Sequence, residues 1–341
     1  MTPDLRTRYL GLDLRSPIVA SSTPLTGDPS FVKQLEDAGV GAVVLPSLFE
    51  EEILNDEIEL SRALDQGTEQ FAEALGYFPA QTELQGVGDQ YLTRLEKTKK
   101  AVSIPVIASL NADSTGGWVR YARLMQDAGA DALELNLYHV AADPLLGSSY
   151  REEADIDLVA EVRAAVTIPL AVKLSPYYAA MANFAGRVVA AGADGLVLFN
   201  RFYQPDLDLD TFDVVTRVSL SHPSELRMPL RWIAILRPQL GVETGLAATT
   251  GIHGATDAVK ALAVGADIAM MASAILRHGV GHVGTVTREL IDWMEEREYE
   301  SVSQLRGSAS AATVADPTAF ERANYLKTLH SWSAPSELAG V

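Results

Sequence analysis

The sequence repeats a phrase in which small residues precede a short apolar run that ends in polar residues. Four copies lie at Asp37–Ser47, Asp127–Asn136, Ala190–Asn200 and Ala263–Ser273, and two related phrases at Val102–Asn111 and Val166–Ser175. The third residue of each of the four copies is a glycine, which is typical of a helix end. The near-continuous apolar run is typical of a parallel strand that is covered on both faces. Polar side chains therefore come at the carboxyl ends of buried strands.

Eight apolar segments have the length of a strand, and amphipathic stretches such as Pro29–Ala38 and Ala255–Val264 separate most of them. The segments are Ile18–Ser21, Ala42–Leu45, Val106–Ser109, Ala132–Leu137, Leu170–Leu174, Gly195–Phe199, Leu246–Thr249 and Ile268–Met271. This alternation predicts an α/β fold in which eight parallel strands close into a (β/α)8 TIM barrel. A doubly wound open sheet, which alternates in the same way, is the alternative.

Three segments depart from the regular repeat. They are an insertion after the second strand (residues 49–101), an excursion after the sixth (Arg201–Leu226) and a helical tail (about 285–341). The first two follow strands, so we expect them to hang over the carboxyl-terminal rim, where substrate pockets form. No low-complexity linker interrupts the sequence, and we expect residues 1–341 to form a single domain.

Composition narrows the classes of function. The net charge of −18 argues against nucleic acid and anionic membranes as partners. The absence of cysteine excludes disulfides, thiol nucleophiles and cysteine-ligated clusters or zinc sites. The sequence contains neither a signal-peptide pattern nor an apolar run of about 18 residues. We therefore expect a soluble, cytoplasmic, globular protein.

The strand ends carry three asparagines and a lysine: Asn111, Asn136, Asn200 and Lys173. Each Asn side chain offers a donor and an acceptor in one plane, which suits a flat, polar heterocycle. Lys173 is flanked by apolar residues of its strand, so we expect its ammonium in the barrel mouth, where it can stabilise negative charge that develops on a ring. The alternative is a lysine that extends to solvent.

The loops after the seventh and eighth strands have the pattern of a phosphate cradle. Thr249-Thr250-Gly251 and Ala272-Ser273 each precede a predicted helix. Backbone N–H groups and a helix N-terminus at this position commonly bind phosphate in barrels of this kind. Simple turns are the alternative for either fragment alone.

Candidates for proton transfer and for anion binding lie on the same rim. His139 follows the fourth strand and is the natural acid or base near neutral pH. A histidine that only bonds the loop backbone is the alternative, and Ser148 and Ser149 are competing bases. Arg227 and Arg231 form a candidate carboxylate clamp, or are helix-surface residues. No set of His and carboxylates has metal-ligand spacing, so we expect no metal.

Four stretches of the chain match one family in order: Ala132–Leu137, Ala171–Tyr178, Ala248–Leu276 and Tyr299–Ser308. They resemble the FMN-dependent dihydroorotate dehydrogenases, in particular the branch called dihydroorotate dehydrogenase-like proteins. The resemblance implies FMN across the barrel mouth, Lys173 at the flavin N1–O2 edge as a catalytic group, and a possible homodimer. The implied cofactor-binding residues are Ala20, Ser21, Asn111, Asn136, Lys173, Asn200, Thr250, Gly251, Ala272 and Ser273.

The chain departs from this family at three places on the substrate side. His139 stands where a cysteine usually follows the Asn-bearing strand, and Pro46 stands where a lysine is common. The sequence NRFYQPDLD at Asn200–Asp208 replaces an asparagine-rich motif. FMN binding is therefore predicted on firmer grounds than the identity of the substrate.

These observations predict an FMN-dependent oxidoreductase that acts on a planar polar substrate. The resemblance implies dihydroorotate oxidation to orotate, in pyrimidine biosynthesis, with Asn136 and Asn200 at the flavin or the substrate. The residues themselves add Arg227 and Arg231 as candidates at the substrate and His139 as the provisional acid or base. The electron acceptor is expected to be soluble or diffusible, or to be reached through another chain. Two alternatives stay open: an enzyme for another cyclic amide or enone, and a flavin-binding or phosphate-binding protein without turnover.

Overall fold

A computed structural model describes residues 2–56, 58, 86–112, 114, 116, 119–202, 204–215, 217–321 and 325–331. Eight parallel strands form a closed barrel in the order β11-β12-β3-β4-β5-β6-β7-β8. They are β3 (Ile18–Ala20), β4 (Val43–Phe49), β5 (Val106–Ala112), β6 (Ala132–Leu137), β7 (Leu170–Leu174), β8 (Gly195–Leu198), β11 (Gly245–Ala248) and β12 (Ile268–Met271). The predicted (β/α)8 barrel is confirmed, and each of the eight predicted segments contributes one strand.

Helices follow the strands around the outside of the barrel. They are α1 (Pro29–Ala38), α2 (Val87–Ala101), α3 (Val119–Asp127), α4 (Ser148–Ala165), α5 (Met181–Ala190), α6 (Arg227–Leu240), α7 (Ala255–Val264) and α8 (Ser273–His278). The chain continues into α9 (Gly281–Glu296), α10 (Val302–Leu305) and α11 (Tyr325–His330). Two short hairpins join β1 (Thr7–Tyr9) to β2 (Leu12–Leu14) and β9 (Asp206–Leu207) to β10 (Val214–Val215), and 3₁₀ helices lie at Pro24–Gly27, Pro223–Leu226 and Pro317–Phe320.

The predicted insertion is shorter than its proposed bounds at both ends. Strand β4 continues to Phe49, and residues 87–101 form α2, which packs on α1 and α3 as a regular helix of the barrel. Residues 59–85 lie outside the described residues, as do 332–341 of the predicted tail. Within that tail Asp316 caps a short 3₁₀ helix, Pro317–Phe320, by accepting a hydrogen bond from the Thr318 N–H.

The apolar core has two parts. A large outer part lies between the strands and the helices, and a smaller one fills the barrel interior. Tyr9 and Leu10 of the first hairpin belong to the inner part and close the amino-terminal end of the barrel. Glycine leaves room for them, because a Cβ on Gly195 would lie 2.5 Å from Leu10 and one on Gly245 would lie 3.0 Å from Tyr9.

The aspartate of the repeated phrase has the same structural task in three copies. Asp131, Asp194 and Asp267 each precede a strand, and each accepts a hydrogen bond from an N–H at the start of the neighbouring strand: 2.7 Å from Val106, 2.8 Å from Leu170 and 2.7 Å from Leu246. Each also binds a cation from the helix before that neighbour: Lys99 at 2.6 Å, Arg163 at 2.9 Å and Arg237 at 2.6 Å. These carboxylates join adjacent strands at the amino-terminal end of the barrel.

The first copy of the phrase has Gly41 at the position of the aspartate. A Cβ there would lie 2.1 Å from the Ser16 carbonyl oxygen, so a side chain has no room. The Ser16 hydroxyl accepts from the Ile18 N–H at 3.2 Å and takes the place of the carboxylate.

Among the described residues, none of the helices combines the length and apolarity that crossing a membrane requires.

Asp267 is the most enclosed of the three aspartates, and its replacement tests the strand bridge. Arg237 and Arg306 both bind its carboxylate, and its side chain is 2% exposed. We expect Asp267→Asn to lower the free energy of unfolding by about 3 kcal/mol, because Arg237 is left as a buried cation without its counterion. Urea denaturation measures the change. The exposed Asp292→Asn is the matched control, and an equal effect of both variants would contradict the assignment.

Candidate functional site

Alternate residues of β5, β6 and β7 point into the barrel, and the last of them are polar. Ile107, Ala132 and Ala171 belong to the interior core, so the residues two and four positions later share their face. The strand register places Asn111 beside Asn136 and Asn136 beside Lys173. Three of the predicted residues therefore lie at one level of the mouth.

Lys173 is held by a buried carboxylate. Its ammonium lies 3.3 Å from Glu134 Oε1, and the two side chains are 12% and 1% exposed. The ammonium thus points into the mouth, as predicted, and not to bulk solvent. Because both partners are enclosed, the position of the positive charge is fixed by the fold.

Asn136 is oriented by two serines. Its Nδ2 donates to Ser47 Oγ at 2.9 Å and to Ser109 Oγ at 3.3 Å, and the two hydroxyls lie 2.8 Å apart. Its Oδ1 is buried and has no hydrogen-bond partner. A buried acceptor without a donor is costly. The side chain is therefore arranged to accept a hydrogen bond from a bound group, such as a ring N–H.

Ser47 reaches this position because β4 is irregular next to Pro46. The pairing of β4 with β5 shifts register between Val44 and Ser47, so that Ser47 stands opposite Ser109. Proline lacks the N–H of a regular ladder and is usual at such bulges. The replacement of the family's lysine by Pro46 thus accompanies a serine pair beside Asn136.

Asn200 joins three strands at the rim. Its Nδ2 donates to the Leu137 carbonyl at 3.1 Å and to the Lys173 carbonyl at 3.3 Å. Both N–H groups are used in this way, so the side chain offers a carbonyl oxygen to a bound molecule.

The predicted phosphate residues surround one cavity of about 140 Å³, called here the inner cavity. Lys173 lies on its wall together with Ser21, Ser22, Thr249, Thr250, Gly251, Ala272 and Ser273. Ala20 is fully buried directly before Ser21. Thr250 and Gly251 have φ angles of 70° and 83°, which turn the chain around the cavity. A Cβ on Gly251 would lie 2.5 Å from the Leu226 nitrogen, so only glycine fits.

The excursion after β8 covers this cavity. The Ser221 N–H donates to Ser273 Oγ at 3.0 Å, and Ser221 Oγ lies 3.1 Å from His253 Nε2. Burial of the ring and the nearby Arg277 guanidinium lower the pKa of His253, which favours the neutral ring. Arg201 binds Ser219 and Glu225 and so fixes the excursion to the rim.

Two further cavities continue outward from the inner one. The middle cavity, about 240 Å³, shares Phe199, Arg201 and Thr250 with it and is also lined by Asn200. The outer cavity, about 360 Å³, shares Tyr177 and Phe202 with the middle one. Phe202 stacks on Tyr138 with centroids 4.5 Å apart and meets the edge of Tyr177 at 5.0 Å. These three rings therefore form an aromatic wall at the junction of the middle and outer cavities.

The remaining predicted residues lie farther from Lys173. His139 and Ser148 line the outer cavity, and Ser149 is exposed on α4. Arg227 and Arg231 are exposed on α6 and line none of the three cavities. The structure thus gathers the asparagines, Lys173 and the phosphate residues, and leaves the arginine pair outside that group.

Four further site residues were not assigned from sequence: Ser47, Ser109, Glu134 and Ser221. Glu134 and Ser109 share the strand parity of Asn136 and Asn111, which is a usable signal. The register shift at Pro46 hides Ser47, and the length of the excursion hides Ser221. Within the described part of the chain, no three His or carboxylate side chains are grouped as ligands for a metal ion.

Comparison with known proteins agrees with this geometry. The family model described as dihydroorotate dehydrogenase matches residues 82–294, which include six of the eight barrel strands. The catalytic subunit of dihydroorotate dehydrogenase B (NAD(+)) from Thermoplasma volcanium is 24% identical over 90% of this chain and 98% of its own length. The chloroplastic dihydropyrimidine dehydrogenase (NADP(+)) of Arabidopsis thaliana is 20% identical over 89% of this chain and 76% of its own.

The NAD-dependent dihydropyrimidine dehydrogenase subunit PreA of Escherichia coli K12 is 24% identical over 91% of this chain and 78% of its own length. These relatives are dehydrogenases of dihydropyrimidines, and the alignments cover nearly all of the barrel. The chain belongs to the dihydroorotate dehydrogenase family and is an oxidoreductase that acts on CH–CH bonds.

Proposed function

We propose that the protein binds FMN across the barrel mouth and oxidises or reduces a ring CH–CH bond of a flat cyclic amide. One observation carries this proposal: the Lys173 ammonium is fixed by Glu134 beside the phosphate cradle, on the strand next to Asn136 with its unpartnered Oδ1. A positive charge, a ring-N–H acceptor and an anion site at one mouth suit a phosphorylated, polar ring system.

The residues present fit FMN. Thr250, Gly251, Ala272 and Ser273 would hold its phosphate, because the first amides of α8 have no acceptor within the helix. Asn136 Oδ1 would accept from a ring N–H, and Lys173 would face a ring oxygen. When bound, FMN supplies a partner for transfer of a hydride.

The chain's own residues complete the reaction by binding and proton transfer. Lys173 stabilises negative charge, and the Asn200 carbonyl oxygen orients the substrate. Tyr177 and Phe202 line the middle cavity and offer ring faces on which a flat substrate can stack. We assign His139 as the group that exchanges the proton, with Ser148 as the competing candidate in the same cavity.

Two substrate classes are compatible with this site. Family membership favours dihydroorotate, whose oxidation to orotate belongs to pyrimidine biosynthesis. The aromatic wall at Phe202, which replaces the family's asparagine-rich motif, favours another cyclic amide or an enone. The chain has no cysteine that could bind an iron–sulfur cluster. For either substrate class, electrons therefore pass to or from a soluble or diffusible partner, or through another chain.

FMN binding and the cradle are tested by one pair of glycine variants. We expect the protein to take up one FMN and to become yellow, and Gly251→Ala to raise the dissociation constant at least about tenfold, because the added Cβ meets Leu226 and displaces the cradle. Quenching of free FMN fluorescence measures the constant.

Gly254→Ala is the matched control, since a Cβ at that position meets nothing within 4 Å. Failure of the unaltered protein to bind FMN would overturn the proposed function. Equal affinities of the two variants would remove Gly251 from the phosphate site.

The proton-transfer assignment predicts different effects for two residues of the outer cavity. We expect His139→Gln to lower kcat at least about a hundredfold and to remove one limb of its pH profile, as for loss of a general acid or base. Ser148→Ala should leave kcat and the shape of the pH profile nearly unchanged. Steady-state rates across pH with dihydrouracil and dihydroorotate provide the measurement. The reverse order of effects would identify Ser148 as the group instead.

A further inference from the structure

Every cationic side chain that lines the three cavities, among the residues described, already has a carboxylate partner. Lys173 lies 3.3 Å from Glu134, and Arg201 lies 2.9 Å from Glu225. Arg151 donates its Nε–H to Asp155 at 3.1 Å and a second N–H to the same oxygen. The mouth therefore holds positive charges that are neutralised within the chain.

Described segments that follow the strands at the mouth add negative charge. Residues 50–56, which follow β4, contain four acidic residues and no lysine or arginine. The excursion 201–226 contains five acidic residues against two arginines. This distribution raises the cost of bringing a further anion into the middle cavity, beyond the phosphate cradle.

The groups that remain for a substrate are neutral. The Asn200 carbonyl oxygen, the faces of Tyr177 and Phe202 and the hydroxyl of Thr250 line the middle cavity. A carboxylate in this cavity would give up water, and the cation on the cavity wall, Arg201, is already paired with Glu225, so its transfer from water is unfavourable. A neutral ring can stack on the aromatic wall and donate its N–H groups to carbonyl acceptors.

We infer that the substrate is an uncharged cyclic amide of one six-membered ring, and not a ring that carries a carboxylate. The inference rests on the proposed function, because it assumes that the mouth binds FMN and that the substrate enters the middle cavity. In the oxidative direction the ring loses a hydride from one carbon and a proton from the adjacent carbon, and a C=C bond forms between them. Bound FMN would supply the acceptor for the hydride, and a side-chain base of this chain accepts the proton.

Dihydrouracil and dihydroorotate test this inference because they differ by the carboxylate alone. The FMN-loaded protein is mixed anaerobically with each, and bleaching of the flavin gives a rate constant and a dissociation constant. We expect the rate constant divided by the dissociation constant to be at least about a hundredfold higher for dihydrouracil than for dihydroorotate. Equal efficiency, a preference for dihydroorotate, or bleaching by neither would overturn the inference. Failure to bind FMN would instead overturn the proposed function.

The role of ion pairing is tested at Glu225. Glu225→Gln removes the carboxylate partner of Arg201 at the wall of the inner and middle cavities, so we expect the dissociation constant of orotate to fall about tenfold while that of uracil stays constant. Both are measured by perturbation of the flavin absorbance. Glu296→Gln, which makes the same change of net charge at a remote exposed pair with Arg297, should alter neither constant.

The FMN affinity and melting temperature of both variants are measured alongside. If Glu225→Gln binds FMN normally and its orotate affinity is unchanged, pairing of Arg201 does not exclude carboxylates, and the electrostatic basis of the inference is wrong.

Discussion

The barrel depends on carboxylates that bridge neighbouring strands at its amino-terminal end. Asp131, Asp194 and Asp267 each bind an N–H at the start of the adjacent strand and a cation from an adjacent helix. A bridge at the start of a strand sets the register of the residues that follow. That register decides which side chains meet at the opposite end, where Asn111, Asn136 and Lys173 lie at one level. Positions far from the mouth therefore determine its geometry.

Stability and chemistry are separated along the barrel axis, as is usual in this fold. The amino-terminal end is closed by Tyr9 and Leu10 and held by buried ion pairs. The carboxyl-terminal end contains a buried acceptor without a donor, at Asn136, and cavities walled by loops. A functional site commonly keeps such an unsatisfied group, and the rigid end of the barrel provides the free energy that offsets its cost.

The sequence predicts the fold well because strand length, apolar runs and helix ends are local signals. The eight strands and the level of Asn136 and Lys173 follow from them. Glu134 could also have been predicted, since strand parity places it on the same face two residues before Asn136. Ser47 could not, because the register shift at Pro46 changes parity in the folded sheet alone. Ser221 and the pairing of Arg201 with Glu225 depend on how a long excursion folds back, which no local pattern specifies.

Closure of the barrel joins segments that are distant in sequence and so affects the order in which the barrel can form. Strand β3 pairs with β12, the Thr7 hydroxyl donates to the Asp267 carbonyl, and Asp4 bridges to Ser301. Contacts between residues so distant in sequence form slowly. During synthesis one edge of β3 stays unpaired until β12 has been made. The barrel is therefore exposed to strand-edge association until β12 pairs with β3.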